Sequence, residues 1–210
     1  MLKLEIVNRL KEQAVATIHE VIGEKNALDE SIKPLSRKMK LCGRAKTVKC
    51  SPNDNLTLIK AIYEAKPNEV LVVDMENELN AGPFGEVLSV ECLSKGLAGL
   101  VTNGSVRDTS AIIKRGFPVF SAGISVRGTN KNRLGDIDIP VSVGDVIVHP
   151  GDYILGDADG VVAISPEHIE SVINKAIERE NKEAAVMQRL SQGESLYEIY
   201  GYDQKVKALK

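Results

Sequence analysis

The chain has 210 residues, of which 43% are hydrophobic and 27% are charged, and its formal net charge is −2. This length favours one domain with short tails and allows two small ones. The composition is ordinary for a soluble globular protein, and without an excess of positive charge no nucleic-acid partner is expected. No apolar run approaches the roughly 18 residues that a membrane helix needs, so no membrane partner is expected either. The three cysteines lack metal-ligand spacing and the N-terminus lacks a signal-peptide core, which together predict reduced thiols in a cytoplasmic protein.

Up to residue 122 the chain alternates predicted helices and strands. Residues 2–22 have the apolar spacing of one amphipathic helix. Further helices are predicted over residues 55–65, 86–95 and 108–114, and strands over residues 40–49, 69–74, 99–102 and 118–122. Because apolar runs of strand length are typical of strands buried on both faces, the alternation predicts βαβ units and a partly parallel central sheet in an α/β fold.

The remainder of the chain predicts a β-rich part and then a helical end. A polar loop over residues 128–135 comes first, and a helix from Pro166 to about Leu190 comes last. Between them, short strands separated by Gly-Asp turns are expected over residues 139–143, 146–149, 153–155 and 160–164. We expect one domain with three parts, namely an N-terminal helix (1–28), a main body (29–192) and a C-terminal arm that docks (193–210).

The loop that precedes residue 86 suits an anionic ligand. Gly82 and Gly85 flank it, and the free backbone N–H groups at a helix start form a natural anion site. A simple turn explains the same two glycines equally well. Apolar residues on nearly every side of the helix over residues 86–95 predict that this helix is well buried.

Three carboxylates and one arginine complete the candidate set. Glu86, Asp108 and the strand-terminal Asp74 are oxygen ligands of the kind that hold Mg²⁺ or Mn²⁺. Arg107 offers a planar, permanently charged fork to a carboxylate or phosphate. Taken singly, each residue is also explained as a surface ion pair or a cap, with Asp108 capping the helix after a turn predicted at residues 103–105.

Several motifs occur in an order that resembles the RraA-like family. They are Gly82-x-x-Gly85-Glu86, the run Gly99-Leu-Val-Thr-Asn-Gly104-Ser-Val-Arg107-Asp108, Pro118-Val-Phe, and the Gly-Asp turns from Gly144 to Gly160. That family contains the class II 4-hydroxy-4-methyl-2-oxoglutarate/4-carboxy-4-hydroxy-2-oxoadipate aldolases and also RraA, the protein regulator of ribonuclease E. The resemblance covers about residues 30–200 and implies a β/β/α swivelling-type fold. It also implies a homo-oligomer, a trimeric ring or a hexamer, with active sites at subunit interfaces.

The resemblance implies roles for individual residues as well. The backbone of a four-residue loop would hold the carboxylate of pyruvate, namely Gly82, Pro83, Phe84 and Gly85. Arg107 would contact the pyruvyl oxygen, Asp108 would bind the divalent cation, and Glu86 would help to hold a metal-bound water. A glutamate from the late helix of an adjacent subunit would approach the site, and Glu183, with Glu180 second, matches it best.

The implied activity is that of a divalent-metal-dependent class II pyruvate aldolase acting on a small 2-oxo acid, with oxaloacetate decarboxylation because both reactions give the same enolate. Aldolases of the family commonly have Asp where this chain has Glu86. The ribonuclease regulators generally lack the acids at the positions of Glu86 and Asp108, so the presence of both favours metal-dependent chemistry. The alternative is a non-catalytic regulator of ribonuclease E or another RNA-processing enzyme. No glycine-rich S-adenosylmethionine loop supports a methyltransferase.

Overall fold

The computed structural model describes residues 2–23 and 26–209 of the chain. Its helices are α1 (Leu2–Lys11), α2 (Val15–Ile22), α3 (Leu56–Glu64), α4 (Glu86–Ser94), α5 (Thr109–Arg115), α6 (Ile169–Ser191), α7 (Leu196–Ile199) and α8 (Tyr202–Ala208). Its strands are β1 (Lys33–Pro34), β2 (Leu41–Lys49), β3 (Glu69–Asp74), β4 (Gly99–Val106), β5 (Val119–Ile124), β6 (Asp136–Ile137), β7 (Val141–Val143), β8 (Val146–Val148), β9 (Tyr153–Gly156) and β10 (Val161–Ile164).

The main sheet has the strand order β1-β5-β4-β3-β2-β9-β10, and β6 pairs with the end of β2. Strands β2 to β5 run parallel to one another, because α3, α4 and α5 each return the chain to the same edge before the next strand. Strands β1, β6, β9 and β10 add antiparallel pairs. A separate hairpin is formed by β7 and β8. The predicted α/β fold with a partly parallel central sheet is therefore confirmed.

Two clusters of buried apolar side chains pack helices and the β7–β8 hairpin against the main sheet. The larger one joins β3 and β4 to α3 and the β7–β8 hairpin, and includes Leu58, Ile62 and Val72. The smaller one joins α1, α2 and α6 to β9 and β10, and includes Ile18 and Ile173. Strands β3 and β4 are buried along almost their whole length. This confirms the prediction, made from their continuous apolar runs, that both faces of these strands are covered.

The single helix predicted over residues 2–22 is wrong, because the structure divides it into α1 and α2. Ala14 has an extended backbone, with φ −79° and ψ 141°. The N–H of Val15 donates to Asp157 Oδ2 at 3.1 Å, so a residue 142 positions away supplies an acceptor at the start of α2. Local apolar spacing carries no information about such a distant partner, and it therefore missed the break.

The turn predicted at residues 103–105 is also wrong, because β4 continues through it to Val106. The register of β4 against β5 shifts between Thr102 and Ser105, which marks a bulge in place of a turn. Gly104 fits there because a Cβ atom at this position would lie 2.8 Å from Met75 Cβ. The extension of the strand carries Arg107 to the edge of the sheet.

The C-terminal helices extend away from the two clusters. In α6 only the first two turns are buried, through Ile169, Val172, Ile173 and Ala176. Beyond it, Tyr200 and Tyr202 pack with ring centroids 5.5 Å apart in the exposed arm of α7 and α8. The docking of this arm stays a prediction. No helix among residues 2–23 and 26–209 combines the length and hydropathy needed to cross a membrane.

Candidate active site

The loop at residues 82–85 lies beside the end of β4 and is attached to it through the backbone. Phe84 forms a parallel bridge with Val106, and its C=O accepts a hydrogen bond from the Arg107 N–H at 2.9 Å. The ring of Phe84 is fully buried and stacks on Phe117 with a centroid distance of 5.8 Å. A hydrophobic anchor and a strand-like contact therefore fix the loop next to the Arg107–Asp108 pair.

The two glycines of this loop are needed because Ser125, Arg107 and Asp108 approach it closely. A Cβ atom on Gly85 would lie 2.5 Å from Asp108 Oδ2 and 3.0 Å from Arg107 Cγ. A Cβ atom on Gly82 would lie 2.6 Å from the C=O oxygen of Ser125 and 3.0 Å from Arg107 Cβ. The structure thus brings together four of the residues that the sequence singled out.

Asp108 occupies the N-cap position of α5, but its side chain caps a different helix from the one expected. Its backbone is left-handed, with φ 54° and ψ 35°, and its carboxylate makes no capping hydrogen bond to α5. Instead Oδ2 accepts from the N–H of Glu86, at the start of α4, at 3.2 Å. Asp tolerates left-handed backbone better than most residues, and such conformations cluster at functional sites.

Arg107 and Asp108 form a loose, accessible pair. Arg107 Nε lies 3.8 Å from Asp108 Oδ2, and the two side chains are 45% and 46% exposed. No hydrogen bond from the rest of the described chain fills Asp108 Oδ1 or the Arg107 guanidinium. A cation and a carboxylate that stand side by side with open bonding positions can bind opposite ends of one polar ligand.

The carboxylate of Glu86 contacts Arg115 on α5, whereas Asp108 accepts a hydrogen bond from the backbone N–H of Glu86. Glu86 Oε1 accepts from Arg115 Nε at 2.8 Å and lies 2.7 Å from Arg115 Nη2. Both side chains are about 40% exposed, so the pair contributes at most about 1 kcal/mol to stability. Sequence reasoning missed Arg115. The predicted βαβ alternation could have indicated it, because successive crossover helices such as α4 and α5 lie next to each other.

Asp74, the third carboxylate, makes structural hydrogen bonds within the chain. It is buried, and its Oδ1 accepts from Asn103 Nδ2 and from the Glu76 N–H, both at 2.8 Å. Asn103 Oδ1 in turn accepts from the Met75 N–H at 2.7 Å. This network ties the end of β3 to the bulge in β4, so the expectation that Asp74 helps to hold a cation is not supported.

Glu183 and Glu180 lie on α6, away from Arg107 in the same chain. Helix α6 packs on α1 and α2, and Glu183 Oε1 lies 2.8 Å from Arg179 Nε. Within one chain the structure therefore does not bring either glutamate to the site. Their approach from an adjacent subunit stays a prediction.

The expectation that α4 is well buried is wrong for a single chain. Its inner side is buried through Ser89 and Cys92, but Val87 is 80% exposed. Val90 and Leu93 are exposed by 41% and 40%. Apolar residues on nearly all sides of a helix predict burial, but sequence spacing cannot say whether the covering surface belongs to the same chain.

The donor set at Asp108 fits a weakly held hard cation. Across residues 2–23 and 26–209 no group of three or more His, Cys, Asp or Glu side chains is arranged to hold a metal. Mg²⁺ needs no such cage, because it keeps several waters and binds through one or two carboxylates together with oxygens of the substrate. A half-exposed Asp108 with Oδ1 available meets that requirement.

Comparisons with known proteins identify the family of the chain. The RraA-like family, described as Aldolase/RraA, matches residues 14–163. A protein of Halalkalibacterium halodurans named "Putative 4-hydroxy-4-methyl-2-oxoglutarate aldolase" is 32% identical over 183 residues, which are 87% of each chain.

Solved structures give the same family. The RNA-processing inhibitor RraA from Thermus thermophilis is 27% identical, with a TM-score of 0.68 over 73% of this chain and 93% of that chain. An uncharacterized protein from Pseudomonas syringae shares the fold at 21% identity, with a TM-score of 0.84 over 93% of this chain and 92% of that one. The chain therefore belongs to the RraA-like family of aldolases and RraA proteins.

Proposed function

We propose that this protein is a divalent-metal-dependent class II pyruvate aldolase. It cleaves 4-hydroxy-2-oxo acids such as 4-hydroxy-4-methyl-2-oxoglutarate, and it decarboxylates oxaloacetate as a side reaction. The observation that carries the proposal is the packing of the Arg107–Asp108 pair against the Gly85 backbone at the start of α4. The name of the Halalkalibacterium relative supports the same reaction class.

The substrate carboxylate binds at the loop and the first turn of α4. The first N–H groups of a helix have no partner within it and favour an anion. The Gly82 N–H already donates to the Arg127 C=O at 2.9 Å, Pro83 has no N–H, and the Glu86 N–H donates to Asp108. The Gly85 N–H and the remaining N–H groups of the first turn are therefore the donors that we assign to the carboxylate.

Arg107 stabilises the charge that develops during bond cleavage. Breaking the C3–C4 bond leaves the electron pair on the pyruvyl fragment as an enolate, and C4 leaves as a carbonyl. The half-exposed Arg107 guanidinium lies beside the carboxylate-binding loop and donates hydrogen bonds to the enolate oxygen. Loss of CO₂ from oxaloacetate gives the same enolate, so one binding arrangement serves both reactions.

Asp108 is the residue that we assign to the Mg²⁺ or Mn²⁺ ion, through Oδ1. The bound cation would supply Lewis acidity at the keto oxygen. Asp108 Oδ2 meanwhile holds the start of α4 through the Glu86 N–H, so one carboxylate would order both the cation and the anion-binding turn.

Glu86 manages the proton in this proposal. The C4 hydroxyl must lose its proton as C4 becomes a carbonyl, and C3 of the enolate must later gain one. Arg115 contacts only Oε1 of Glu86, which leaves Oε2 to accept the proton directly or through water. Arg115 then acts by holding the orientation of Glu86.

A second copy of the chain completes the site. The exposed apolar side of α4, defined by Val87, Val90 and Leu93, is the surface that we assign to a subunit contact in a trimer or hexamer. Glu183, with Glu180 as second choice, would reach the site from the neighbouring copy. Neither nucleic acid nor membrane takes part in the proposed reaction, and we place the protein in the cytoplasm, where the buried thiols of Cys42, Cys50 and Cys92 stay reduced.

A coupled assay for pyruvate tests the proposal. Oxaloacetate and 4-hydroxy-4-methyl-2-oxoglutarate are supplied with Mg²⁺ or Mn²⁺ to the wild type, Arg107→Lys and Asp108→Asn. Matched exchanges at exposed positions away from the site, Arg37→Lys and Asp159→Asn, serve as controls. Turnover that both site variants lose and both control variants keep supports the aldolase, whereas turnover that both site variants retain contradicts it.

The alternative is a non-catalytic regulator of an RNA-processing enzyme. The likeness to the inhibitor RraA from Thermus thermophilis favours it, because that protein has the same fold at 27% identity. Dose-dependent inhibition of purified ribonuclease E, equal for wild type and Asp108→Asn and without any pyruvate formation, identifies this second function.

A further inference from the structure

The first turn of α3 and the residues just before it hold residues 130–135 of the polar loop over residues 128–135. Asp54 Oδ2 accepts from the N–H groups of Asn132 and Arg133, at 2.6 and 3.1 Å. Thr57 Oγ1 accepts from the N–H of Gly135 at 2.8 Å. Asp54 and Thr57 are both buried, so these hydrogen bonds are partly shielded from water.

Backbone hydrogen bonds also attach the polar loop to residues 53–55. The Asn130 N–H donates to the Asn53 C=O at 2.8 Å, and the Asn55 N–H donates to the Asn130 C=O at 3.1 Å. Asp54 Oδ1 accepts from the N–H of Leu56 at 2.9 Å, which keeps its carboxylate aligned with the helix start. The loop is therefore held by side-chain and main-chain bonds from one short segment.

The same segment also holds the anion loop at residues 82–85. Asn55 Nδ2 donates to the Pro83 C=O at 2.8 Å, and Asn55 is only 7% exposed. Because a carbonyl can only accept, this bond fixes the amide orientation of Asn55. Asn55 Oδ1 is then buried without a partner among the described residues, so the contribution of this side chain is the hydrogen bond that Nδ2 donates to Pro83.

Both held loops border Arg107. The Gly82 N–H donates to the C=O of Arg127, the residue just before the polar loop, at 2.9 Å. A Cβ atom on Gly128 would lie 3.7 Å from Arg107 Nη1. The Asp54–Asn55 dipeptide is thus bonded to both of the loops that flank the guanidinium.

We propose that Asp54 and Asn55 are positioning residues of the candidate site. Asn55 fixes the loop to which we assign the substrate carboxylate, and Asp54 fixes the polar loop, to which we assign the distal, C4 end of the substrate. Neither touches the reacting atoms, and each acts through the backbone that it holds. The kinetic part of this inference rests on the proposed aldolase function, whereas the structural part does not.

The two residues predict different kinetic effects. In Asn55→Asp the size is kept but the donor to Pro83 is lost, so KM rises about tenfold for oxaloacetate and for 4-hydroxy-4-methyl-2-oxoglutarate alike while kcat changes little, as expected for weakened uniform binding. In Asp54→Asn an amide NH₂ replaces one acceptor and faces N–H donors. Its kcat/KM falls about tenfold more for the longer, C4-substituted substrate than for oxaloacetate, a difference of about 1.4 kcal/mol in transition-state binding.

Amide hydrogen exchange tests the structural part without any need for activity. Asn55→Asp raises exchange at residues 82–88, and Asp54→Asn raises it at residues 130–135. Thr57→Val, which keeps the shape but removes the acceptor for Gly135, raises exchange only at the far end of the polar loop and serves if the Asp54 variant does not fold. Lys60→Ala, on the exposed side of α3, leaves both segments unchanged.

The outcomes separate the two proposals. A wild type that turns over neither substrate overturns the aldolase, and the exchange pattern then still decides the positioning role. If exchange at residues 82–88 and 130–135 is the same in wild type, Asn55→Asp and Asp54→Asn, the positioning role is overturned. It is also overturned if the enzyme is active and both variants keep wild-type KM values and the wild-type preference between the two substrates.

Discussion

The carboxylate of Asp108 accepts a hydrogen bond from the backbone N–H of Glu86, with Oδ2 and N 3.2 Å apart. This contact joins the end of β4 to the start of α4, and it places the Asp108 carboxylate against the turn that we assign to the substrate carboxylate. The side chain of Glu86 contacts Arg115 and makes no hydrogen bond to Asp108. One dipeptide therefore organises the loop, and a separate ion pair organises the proposed proton acceptor.

Replacing Gly85 tests how close this packing is. In Gly85→Ala the new Cβ would lie 2.5 Å from Asp108 Oδ2, so either the loop or the Arg107–Asp108 pair must move. We expect kcat/KM for oxaloacetate to fall at least about tenfold and the free energy of unfolding to fall by about 1–3 kcal/mol. Gly160→Ala is the control, because nothing lies within 4 Å of its Cβ position. An active and stable Gly85→Ala protein would show that the two residues are not held against this loop.

Replacing Arg115 tests whether its ion pair orients Glu86 for catalysis or only stabilises the fold. In Arg115→Ala the ion pair to Glu86 is lost, and because both side chains are about 40% exposed the free energy of unfolding should fall by no more than about 1 kcal/mol. We expect kcat to fall about tenfold, since Glu86 loses the contact that orients it for proton transfer. Urea unfolding and the pyruvate assay measure the two effects, with Arg37→Ala as a control. An unchanged kcat would remove Arg115 from the mechanism.

The pH dependence of stability should report on Asp54. Burial raises the pKa of Asp54, but hydrogen bonds from the N–H groups of Asn132, Leu56 and Arg133 and the nearby Arg133 charge together lower it more, so its pKa lies below the ordinary 3.8. A carboxyl whose pKa is lower in the folded than in the unfolded protein stabilises the fold above the unfolded pKa. That stabilisation is lost as the pH falls through the folded pKa.

Asp54→Asn should therefore lower the free energy of unfolding by about 1–3 kcal/mol near pH 7, and by progressively less as the pH drops below about 3.8. Urea unfolding of wild type and variant over this pH range measures the difference. Asp159→Asn, at an exposed position, should show no such convergence. A difference between wild type and Asp54→Asn that stays constant with pH would mean that the charge of Asp54 does not contribute.

The exposed side of α4 should be covered in solution. Val87→Glu places a charge on the most exposed apolar residue of that helix, so we expect the molar mass measured by light scattering to fall from that of a trimer or hexamer to that of a monomer. Ile147→Glu is the control, because Ile147 is also exposed but lies on the β7–β8 hairpin. A monomeric wild type, or an assembly that Val87→Glu does not disturb, would exclude α4 as the subunit contact.

Much of the fold could be predicted because its signals are local. The apolar runs of β3 and β4 and the helices between them follow from residues a few positions apart, and the structure confirms the parallel order that they imply. The break between α1 and α2 could not be predicted, because it depends on Asp157. The continuation of β4 through Asn103-Gly104-Ser105 depends on pairing with β5, which an isolated Asn-Gly-Ser sequence does not reveal.

The candidate site divides in the same way. Gly85, Arg107 and Asp108 stand in motifs, and the structure brings them together, although their catalytic roles stay predictions. Asp54 and Asn55 carry no motif of their own, and their partners in the two loops lie 28 to 79 positions away in sequence. Residues that act by holding a distant backbone are visible only once the chain is folded.

Release of pyruvate from 4-hydroxy-4-methyl-2-oxoglutarate by EDTA-treated protein, measured before and after addition of Mg²⁺, tests the aldolase most directly. The account predicts negligible release without the ion, restored release by the wild type, and no restoration in Asp108→Asn at the same ion concentration. Equal rates with and without EDTA, or equal restoration in wild type and Asp108→Asn, would contradict it.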